Sequence, residues 1–412
     1  MNKPRENKNI IVALDIGTSK IAAIVAEITA DGALEVIGMG SQPSRGLKKG
    51  VVVNIDSTVS GIQRALEEAE SMADVKIRDV ITGIAGSHIR SFNSRGMVAI
   101  KDKEASQADV DRVIETAQAV NIPMDQQVLH VLTQEFMIDG QEHVREPVGM
   151  SGVRLEVKVH IVTGAVSAAQ NIMKCVRRCG LEVRDLVLQP LASSMAVLSK
   201  DEKDLGVCLV DIGGGTTDIA IFTGGAIRHT AVIPVAGDQI TNDIAMALRT
   251  PTKDAEDLKI AHGCALQELA SANDVIEVPG VGEREPRQLS RKTLAEVIEP
   301  RVEELFTLIQ RELRHSGFEE LLSSGIVLTG GSAAMQGMVQ LGEEVFHMPV
   351  RLGLPMYSGG LSEVVRAPRY STAVGLLVSE MEQRKRNEHS RLAPTNIKGV
   401  MERMATWFKG NF

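Results

Sequence analysis

Only four cysteines, Cys175, Cys179, Cys208 and Cys264, occur in 412 residues, which speaks against a disulfide framework and for a reducing compartment. Cys175 and Cys179 stand one helical turn apart with no matching Cys or His pair, so an apolar helix face is a better reading than a zinc site. Long apolar runs are also missing. Nowhere do about 18 uninterrupted apolar residues occur, and the opening MNKPRENKNI lacks the apolar segment of a signal peptide. The expectation is a cytoplasmic chain, neither secreted nor membrane-spanning. No dense Lys/Arg block precedes the tail and the net charge is -8. A nucleic-acid surface needs a basic patch to displace counterions, so nucleic acid is not an expected partner. Aromatics make up 3% of the chain, and its single Trp, Trp407, stands close to the C-terminus. What is present is ordinary globular material, 43% hydrophobic and 24% charged, enough for two to four domains.

The chain repeats itself. NIIVALDIGTSKIAAIVAEITADG (9–32) and GVCLVDIGGGTTDIAIFTGG (206–225) share an apolar β-rich run, Asp-Ile-Gly, a small polar turn and a second β-rich run ending in a Gly turn. Both predict β-hairpins followed by a third strand and then a helix, STVSGIQRALEEAESMA in one half and QITNDIAMALR in the other. Three strands and then alternating helix and strand predict two similar α/β domains facing each other. Between VITGIAG and KVHIVTG lies a self-contained pattern of one helix (SQADVDRVIETAQAV) and strands (QQVLHVLTQEFMID, RLEVKVHIV). It reads as an inserted small α+β unit.

Glycines at a hairpin tip let backbone N–H groups approach a phosphate, and the hydroxyls of Thr18, Ser19, Thr216 and Thr217 add donors. Asp15 and Asp211 only accept, so beside a polyphosphate they suit Mg²⁺ held through water. This is neither a P-loop nor a Rossmann fingerprint, because each Gly turn leads into another strand. GIVLTGGSAAMQGM (325–338) predicts a buried strand, a Gly-Gly turn and a helix start on which a nucleotide could rest. LVLQPLASSMAVL (186–198) and YSTAVGLL (370–377) are small-faced helices that fit either a domain hinge or plain core packing.

In chain order, DIGTSK, LVLQPLASS, DIGGGTTD, IVLTGGSAAM and YSTAVGLL resemble the five-motif signature of the actin/Hsp70/sugar-kinase superfamily, across residues 10–378. The longer segments PSRGLKKGVVVNID, PVGMSGVRLEVKVHIVTG, LGVCLVDIGGGTTDIAIFTGGAIRHT and TLAEVIEPRVEEL are similar to the FtsA family of bacterial cell-division proteins. That resemblance implies an actin-like α/β fold: subdomain 1A (10–83, 162–192, 354–380) and 2A (193–227, 303–353) enclosing ATP and Mg²⁺, with 2B at 228–302 and an inserted 1C at 84–161. Position by position it implies that Asp15, Gly17, Thr18, Ser19 and Lys20 form phosphate motif 1, and Asp211, Gly213, Gly214, Gly215, Thr216 and Thr217 phosphate motif 2. Gly330, Gly331 and Ser332 match the adenosine motif, and Glu256 and Lys259 match positions facing adenine and ribose. From spacing alone the last two are equally an exposed i,i+3 helix pair. Gln189 falls where the superfamily orients the attacking water, which supports slow ATP hydrolysis at most.

The resemblance further implies a filament-forming protein at the division site, peripheral on the cytoplasmic face of the inner membrane. It would tether FtsZ by receiving the FtsZ C-terminal peptide on 2B, where Arg287 and Arg301 match contact positions, and would recruit later division proteins through 1C. The alternatives are a pilus-assembly actin homologue and a small-molecule kinase of the same superfamily. The kinase requires a general-base carboxylate in the insertion, for which Asp109 and Asp111 are candidates on an otherwise ordinary charged helix face.

The tail separates these readings. Residues 381–395, polar and basic with a Pro, predict a flexible linker rather than a helix. From Asn396 as N-cap, a helix would gather Ile397, Val400, Met401, Met404, Trp407, Phe408 and Phe412 on one face and Lys398, Glu402, Arg403, Thr406 and Lys409 on the other. Such a helix is too short and charged to span a bilayer but suits the headgroup boundary of anionic lipid. The competing reading is a helix docked on its own protein or in a partner's groove.

Overall fold

A hairpin whose two strands are both apolar buries both faces, and this chain builds two such hairpins into the centres of two sheets. The computed structural model describes residues 9–392 apart from Glu283 and Ser358, with side chains as far as Arg386. The first sheet begins with β1 (Ile10–Ile16), β2 (Lys20–Ile28) and β3 (Leu34–Pro43), a meander. After the small ribbon of β4 (Leu47–Lys48) and β5 (Val51–Val52), helix α1 (Ile55–Ala73) starts on Asn54, whose side chain accepts the Ser57 N–H. It leads to β6 (Asp79–Ile84).

The inserted unit follows as β7 (Arg90–Ala99), α2 (Gln107–Gln118), β8 (Gln126–Ile138), β9 (Gln141–Val144) and β10 (Arg154–Ala165). Its sheet runs β7-β10-β8-β9 and all its pairings are antiparallel. Inward-facing Leu155, Val157, Val159 and Ile161 alternate along β10 and pack with Val110, Val113 and Ala117 of α2, a core separate from those of the two large sheets. Asp109 is consumed in a capping box with Ser106 and pairs with Arg112, and Asp111 accepts from Gln107, so both carboxylates offered for a kinase base serve α2 itself.

The chain returns through α3 (Val166–Arg178) and β11 (Glu182–Leu188), completing the sheet β11-β6-β1-β2-β3. Cys175 is buried on α3 and Cys179 half-buried, both as free thiols. Next come α4 (Gln189–Val197), α5 (Lys200–Leu205), then β12 (Val207–Ile212), β13 (Thr217–Thr223) and β14 (Ala226–Ile233). Beyond them are α6 (Gly237–Leu248), α7 (Thr252–His262), β15 (Val275–Val278), β16 (Arg287–Ser290) and the long α8 (Arg291–Ser316). The second sheet closes with β17 (Ile326–Thr329), α9 (Met338–Phe346) and β18 (Val350–Leu352) in the order β14-β13-β12-β17-β18. Both sheets thus repeat one topology, an antiparallel meander extended by two parallel strands beside its first strand.

Helices α10 (Ser362–Val365) and α11 (Ser371–Leu392) end the described chain. The small residues of α4 and α11 serve a close crossing, for a Cβ on Gly375 would overlap the Ala192 carbonyl. Two expectations from composition need correction. Residues 381–392 continue α11 instead of forming a linker, and i,i+4 pairs hold it: Arg384 to Glu380 at 2.7 Å and Arg386 to Glu382 at 3.2 Å. After Gly330–Gly331 the chain makes only a 3₁₀ turn (Ser332–Ala334), and α9 waits until Gly337, in the left-handed region at φ 87°, redirects the backbone. The tail residues Ile397, Val400, Met401, Met404, Trp407, Phe408 and Phe412 lie outside the described residues.

Candidate functional site

The two hairpin tips meet. Each is closed by the same backbone bond, Gly17 N–H to the Lys20 carbonyl at 2.9 Å and Gly213 N–H to the Thr216 carbonyl at 3.0 Å. The first tip carries side chains at Thr18 and Ser19, and the second carries none at Gly214 and Gly215. A Cβ on Gly214 would overlap the Ser19 hydroxyl, and one on Gly215 would lie 2.7 Å from Thr18 Oγ1. Glycine at those positions is therefore a steric demand of the facing hairpin.

Behind the tips stand carboxylates. Asp15 is paired with Lys20 Nζ at 2.5 Å, and Lys20 also lies over the Tyr370 ring, 5.4 Å from its centroid. Asp211 receives hydroxyls instead, from Ser193 of α4 and from Thr372 of α11 at 3.3 Å, and those two hydroxyls are 3.0 Å apart. Burial and the nearby Asp15 charge push the Asp211 carboxyl above the ordinary range. Gly330, at φ 89°, brings its backbone against this group, and a Cβ there would lie 2.5 Å from Asp211 Oδ1.

The adenosine-motif residues join the same place through hydrogen bonds. Ser332 Oγ donates to the Gly213 carbonyl at 2.9 Å. Lys259, almost fully buried, donates to the Gly237 carbonyl at 3.0 Å and Thr241 Oγ1 at 2.8 Å and pairs with Glu256 at 2.6 Å. Glu256 and Lys259 are therefore not an exposed helix pair. Gly331 is exposed at the rim. Gln189 opens α4 and packs on Gly83 at the end of β6, where a Cβ would lie 2.9 Å from its Cγ.

Not every expected donor faces the tips. Thr217 is fully buried and donates to the Val235 carbonyl at 2.8 Å, and Thr216 donates to Asp218 at 3.1 Å. Sequence reasoning left Asp218 unassigned, although antiparallel register sets it directly across from Asp211. Burial and the Asp211 charge push its carboxyl up to about 8, and its Oδ1 has no hydrogen-bond partner among the described residues. Counting outward from a hairpin tip would have found it, since residues equidistant from the turn face each other. Asp238 also belongs here, bonded to Ser19 and raised by burial, but no spacing in the sequence announces it.

Arg301 and Arg287 lie elsewhere, on the α6–α8 surface. Arg301 forms a bidentate pair with Asp243 (2.5 and 3.2 Å) and also binds Glu304, while Arg287 donates to the Leu248 carbonyl.

Two duplicated sheets of actin type meeting at paired phosphate-type hairpins, with a small α+β unit inserted in the first, define an actin-like protein. Solved structures agree on that fold: the PilM-PilN type IV pilus biogenesis complex (TM-score 0.65, 17% identity, 92% of this chain and 99% of that one) and MreB 5 of Spiroplasma citri bound to AMPPNP (0.57, 15%, 93% and 100%). The family model "Cell division protein FtsA" matches residues 208–375, and "SHS2 domain inserted in FTSA" matches 86–163. Curated relatives under the name cell division protein FtsA include those of Pseudomonas aeruginosa, 62% identical over 99% of both chains, and Escherichia coli K12, 46% identical over 98% of this chain and 99% of the relative. The chain belongs to the FtsA family, and its function lies in cell division. That membership decides against the pilus and kinase alternatives.

Proposed function

We propose that the cleft between the two sheets binds ATP with Mg²⁺, and that the chain is a filament-forming adaptor which holds FtsZ to the cytoplasmic face of the inner membrane. The observation that carries the nucleotide reading is the convergence of both hairpin tips with Ser332, Gly330 and the buried Lys259. Gly-rich tips let backbone N–H groups approach a phosphate chain, and the side chains of Thr18 and Ser19 stand beside them. The donor set also fits Mg²⁺. Asp15 and Asp211 are hard oxygen ligands, and among the described residues no cluster of three or more His, Cys, Asp or Glu could hold a metal alone, so phosphate and water would complete the shell. Structures of Spiroplasma citri MreB5 bound to ADP and to AMPPNP support the same chemistry in a protein of this fold.

Bound ATP supplies a transferable phosphoryl group, and Gln189, at the carboxyl end of β11 and beside Gly83 of β6, would orient water toward it without removing a proton, which implies slow turnover. Arg287 and Arg301 would receive the acidic peptide of FtsZ, which must then compete with Asp243 and Glu304 for the Arg301 guanidinium. Self-assembly would multiply a weak lipid anchor built on Trp407 and its apolar neighbours. Among the described residues no helix is long and apolar enough to cross a membrane. Recruitment of later division proteins is assigned to the inserted unit.

The test is co-sedimentation with anionic vesicles and ATP, read by electron microscopy, with ATP affinity measured by calorimetry. Membrane-bound filaments are expected, as are weaker ATP binding for Asp211→Ala and a blue shift of Trp407 emission on lipid. Arg301→Glu should lower FtsZ-peptide affinity in an anisotropy titration while ATP still binds. Unchanged ATP affinity in Asp211→Ala overturns the cleft assignment, and a truncation after Pro394 that still pellets with vesicles overturns the anchor.

A further inference from the structure

The segment PSRGLKKGVVVNID has a use in the structure that no nucleotide contact explains. Its Lys49–Gly50 turn, with both residues in the left-handed region (φ 50° and 76°), stands against both phosphate hairpins at once. Gly50 N–H donates to Thr18 Oγ1 at 3.1 Å, and a Cβ on Gly215 would lie 3.0 Å from the Lys49 Cα. The opposite side of the turn rests on the root of the inserted unit. A Cβ on Gly50 would lie 2.7 Å from the Gly86 Cα, and one on Gly86, at φ 129°, would lie 3.2 Å from the Lys49 carbonyl oxygen. Gly86 then accepts the Ile89 N–H at 3.0 Å, and β7 starts at the next residue. A close-packed stack thus runs from the hairpin tips to the first strand of the insertion, backbone on backbone from Gly215 through Lys49 and Gly50 to Gly86, with the Thr18 hydroxyl as its one side-chain link.

The far side of the insertion is held by the second sheet. Ser91 Oγ donates to the Thr230 carbonyl at 2.9 Å, Gln134 to the Ile227 carbonyl at 2.9 Å and Asn93 to the Arg228 carbonyl at 3.3 Å, while His160 hydrogen-bonds Thr230 Oγ1 at 3.0 Å. These acceptors lie on β14, the partner of β13, whose first residue ends the second phosphate tip. The seam carries these four hydrogen bonds, each of modest net worth against water, and Leu132 of β8 packs on the apolar cluster that includes Ile227. The two hairpin tips touch, so a phosphate chain entering between them must part the sheets that carry them. The insertion, covalently rooted in the first and hydrogen-bonded to the second, cannot follow both.

We propose that the Lys49–Gly50 turn couples the phosphate hairpins to the root of the inserted unit, so that nucleotide in the cleft shifts that unit against β14. The proposal rests on the cleft being a nucleotide site, and its test separates the two. Hydrogen–deuterium exchange of the full chain is compared with and without ATP-Mg²⁺, alongside calorimetry. ATP is expected to change exchange of amides in 46–52, 85–93 and 226–233 by about fivefold or more, as expected where local opening free energies move. Measurable ATP binding with unchanged exchange over 85–93 and 226–233 overturns the coupling and leaves the cleft reading intact. No ATP binding at all overturns both. Gly86→Ala puts a methyl 3.2 Å from the Lys49 carbonyl oxygen and should alter the response over 85–93 while ATP binding stays measurable; a full wild-type response in that variant also overturns the coupling. If Gly86→Ala melts early, the wild-type exchange decides alone.

Discussion

The two phosphate-type hairpins have one backbone and two electrostatic solutions. In the first, Asp15 faces Ala22 across the ladder and its charge is met within the hairpin by Lys20. In the second, Asp211 faces Asp218, two buried carboxylates side by side, and Thr216 occupies the position of Lys20. Hydroxyls from α4 and α11 reach Asp211 from outside. The first hairpin is self-neutral. The second carries unbalanced negative potential, met by pushing both carboxyls toward protonation. A duplicated fold can therefore keep its geometry while assigning cation demand to one copy.

The largest expected effect breaks the fit of the two tips. Gly214→Val puts a branched side chain where Ser19 stands and should weaken ATP binding at least about 100-fold, about 2.7 kcal/mol, in calorimetry. Affinity within a few-fold of wild type would mean that the tips do not jointly hold phosphate. Next is Lys20→Met, which leaves Asp15 buried and unpaired and should cost about 2–3 kcal/mol in urea unfolding. Thr216→Val, at the matching position, loses only a neutral donor to Asp218 and should cost about 1 kcal/mol. Equal costs would deny that the hairpins are neutralised differently.

Much of this contrast was legible in the residues. The repeat of Asp-Ile-Gly in matching β context predicts the two hairpins, and both sheets follow the predicted succession of three strands and then alternating elements. The insertion shows itself through the alternation of RLEVKVHIV, because one face of β10 packs on α2. What stayed hidden depends on pairing across distance. The hydroxyls of Ser193 and Thr372 are 179 residues apart and meet only because α4 and α11 cross at Ala192 and Gly375. The internal use of Thr216 and Thr217 follows from which way each side chain leaves the strand. Composition misled at 381–392, where a polar stretch is a helix face tied to its neighbours, Arg384 donating to the Ile10 carbonyl at 3.2 Å and Gln383 to Asp185 at 3.2 Å.

A third prediction uses pH to sharpen the contrast. Asp218 titrates near about 8 when folded, against about 3.9 in an unfolded chain. Between those values the folded chain keeps a proton that the unfolded chain releases. The stabilising contribution is therefore complete below about pH 4 and is lost as pH rises through about 8, at up to about 1.4 kcal/mol per unit. Asp218→Asn removes the titration, so in EDTA its stability relative to wild type should increase from pH 5 to pH 7 in urea melts. A relative stability that is flat or falling over that interval would show that Asp218 is ionised in the folded protein.

The smallest effect concerns where Asp211 gets its support. Thr372→Val keeps the shape of the side chain and deletes one hydroxyl that bonds Asp211 at 3.3 Å and Ser193 at 3.0 Å. Ser193 remains as donor, and the carboxyl is already shifted toward its neutral form, so the variant should lose at most about 1 kcal/mol. Ser193→Ala removes the hydroxyl that favours the Asp211 carboxylate more strongly of the two and should cost more than Thr372→Val. Both should fall below Lys20→Met, because a buried carboxylate that can take up a proton tolerates the loss of a donor better than one whose charge is matched by a single cation. Unfolding free energies in urea at pH 7 rank the three. A Thr372→Val penalty equal to that of Lys20→Met would mean that Asp211 is ionised and held by its hydroxyls as tightly as Asp15 is by its lysine, and the two hairpins would then share one electrostatic design.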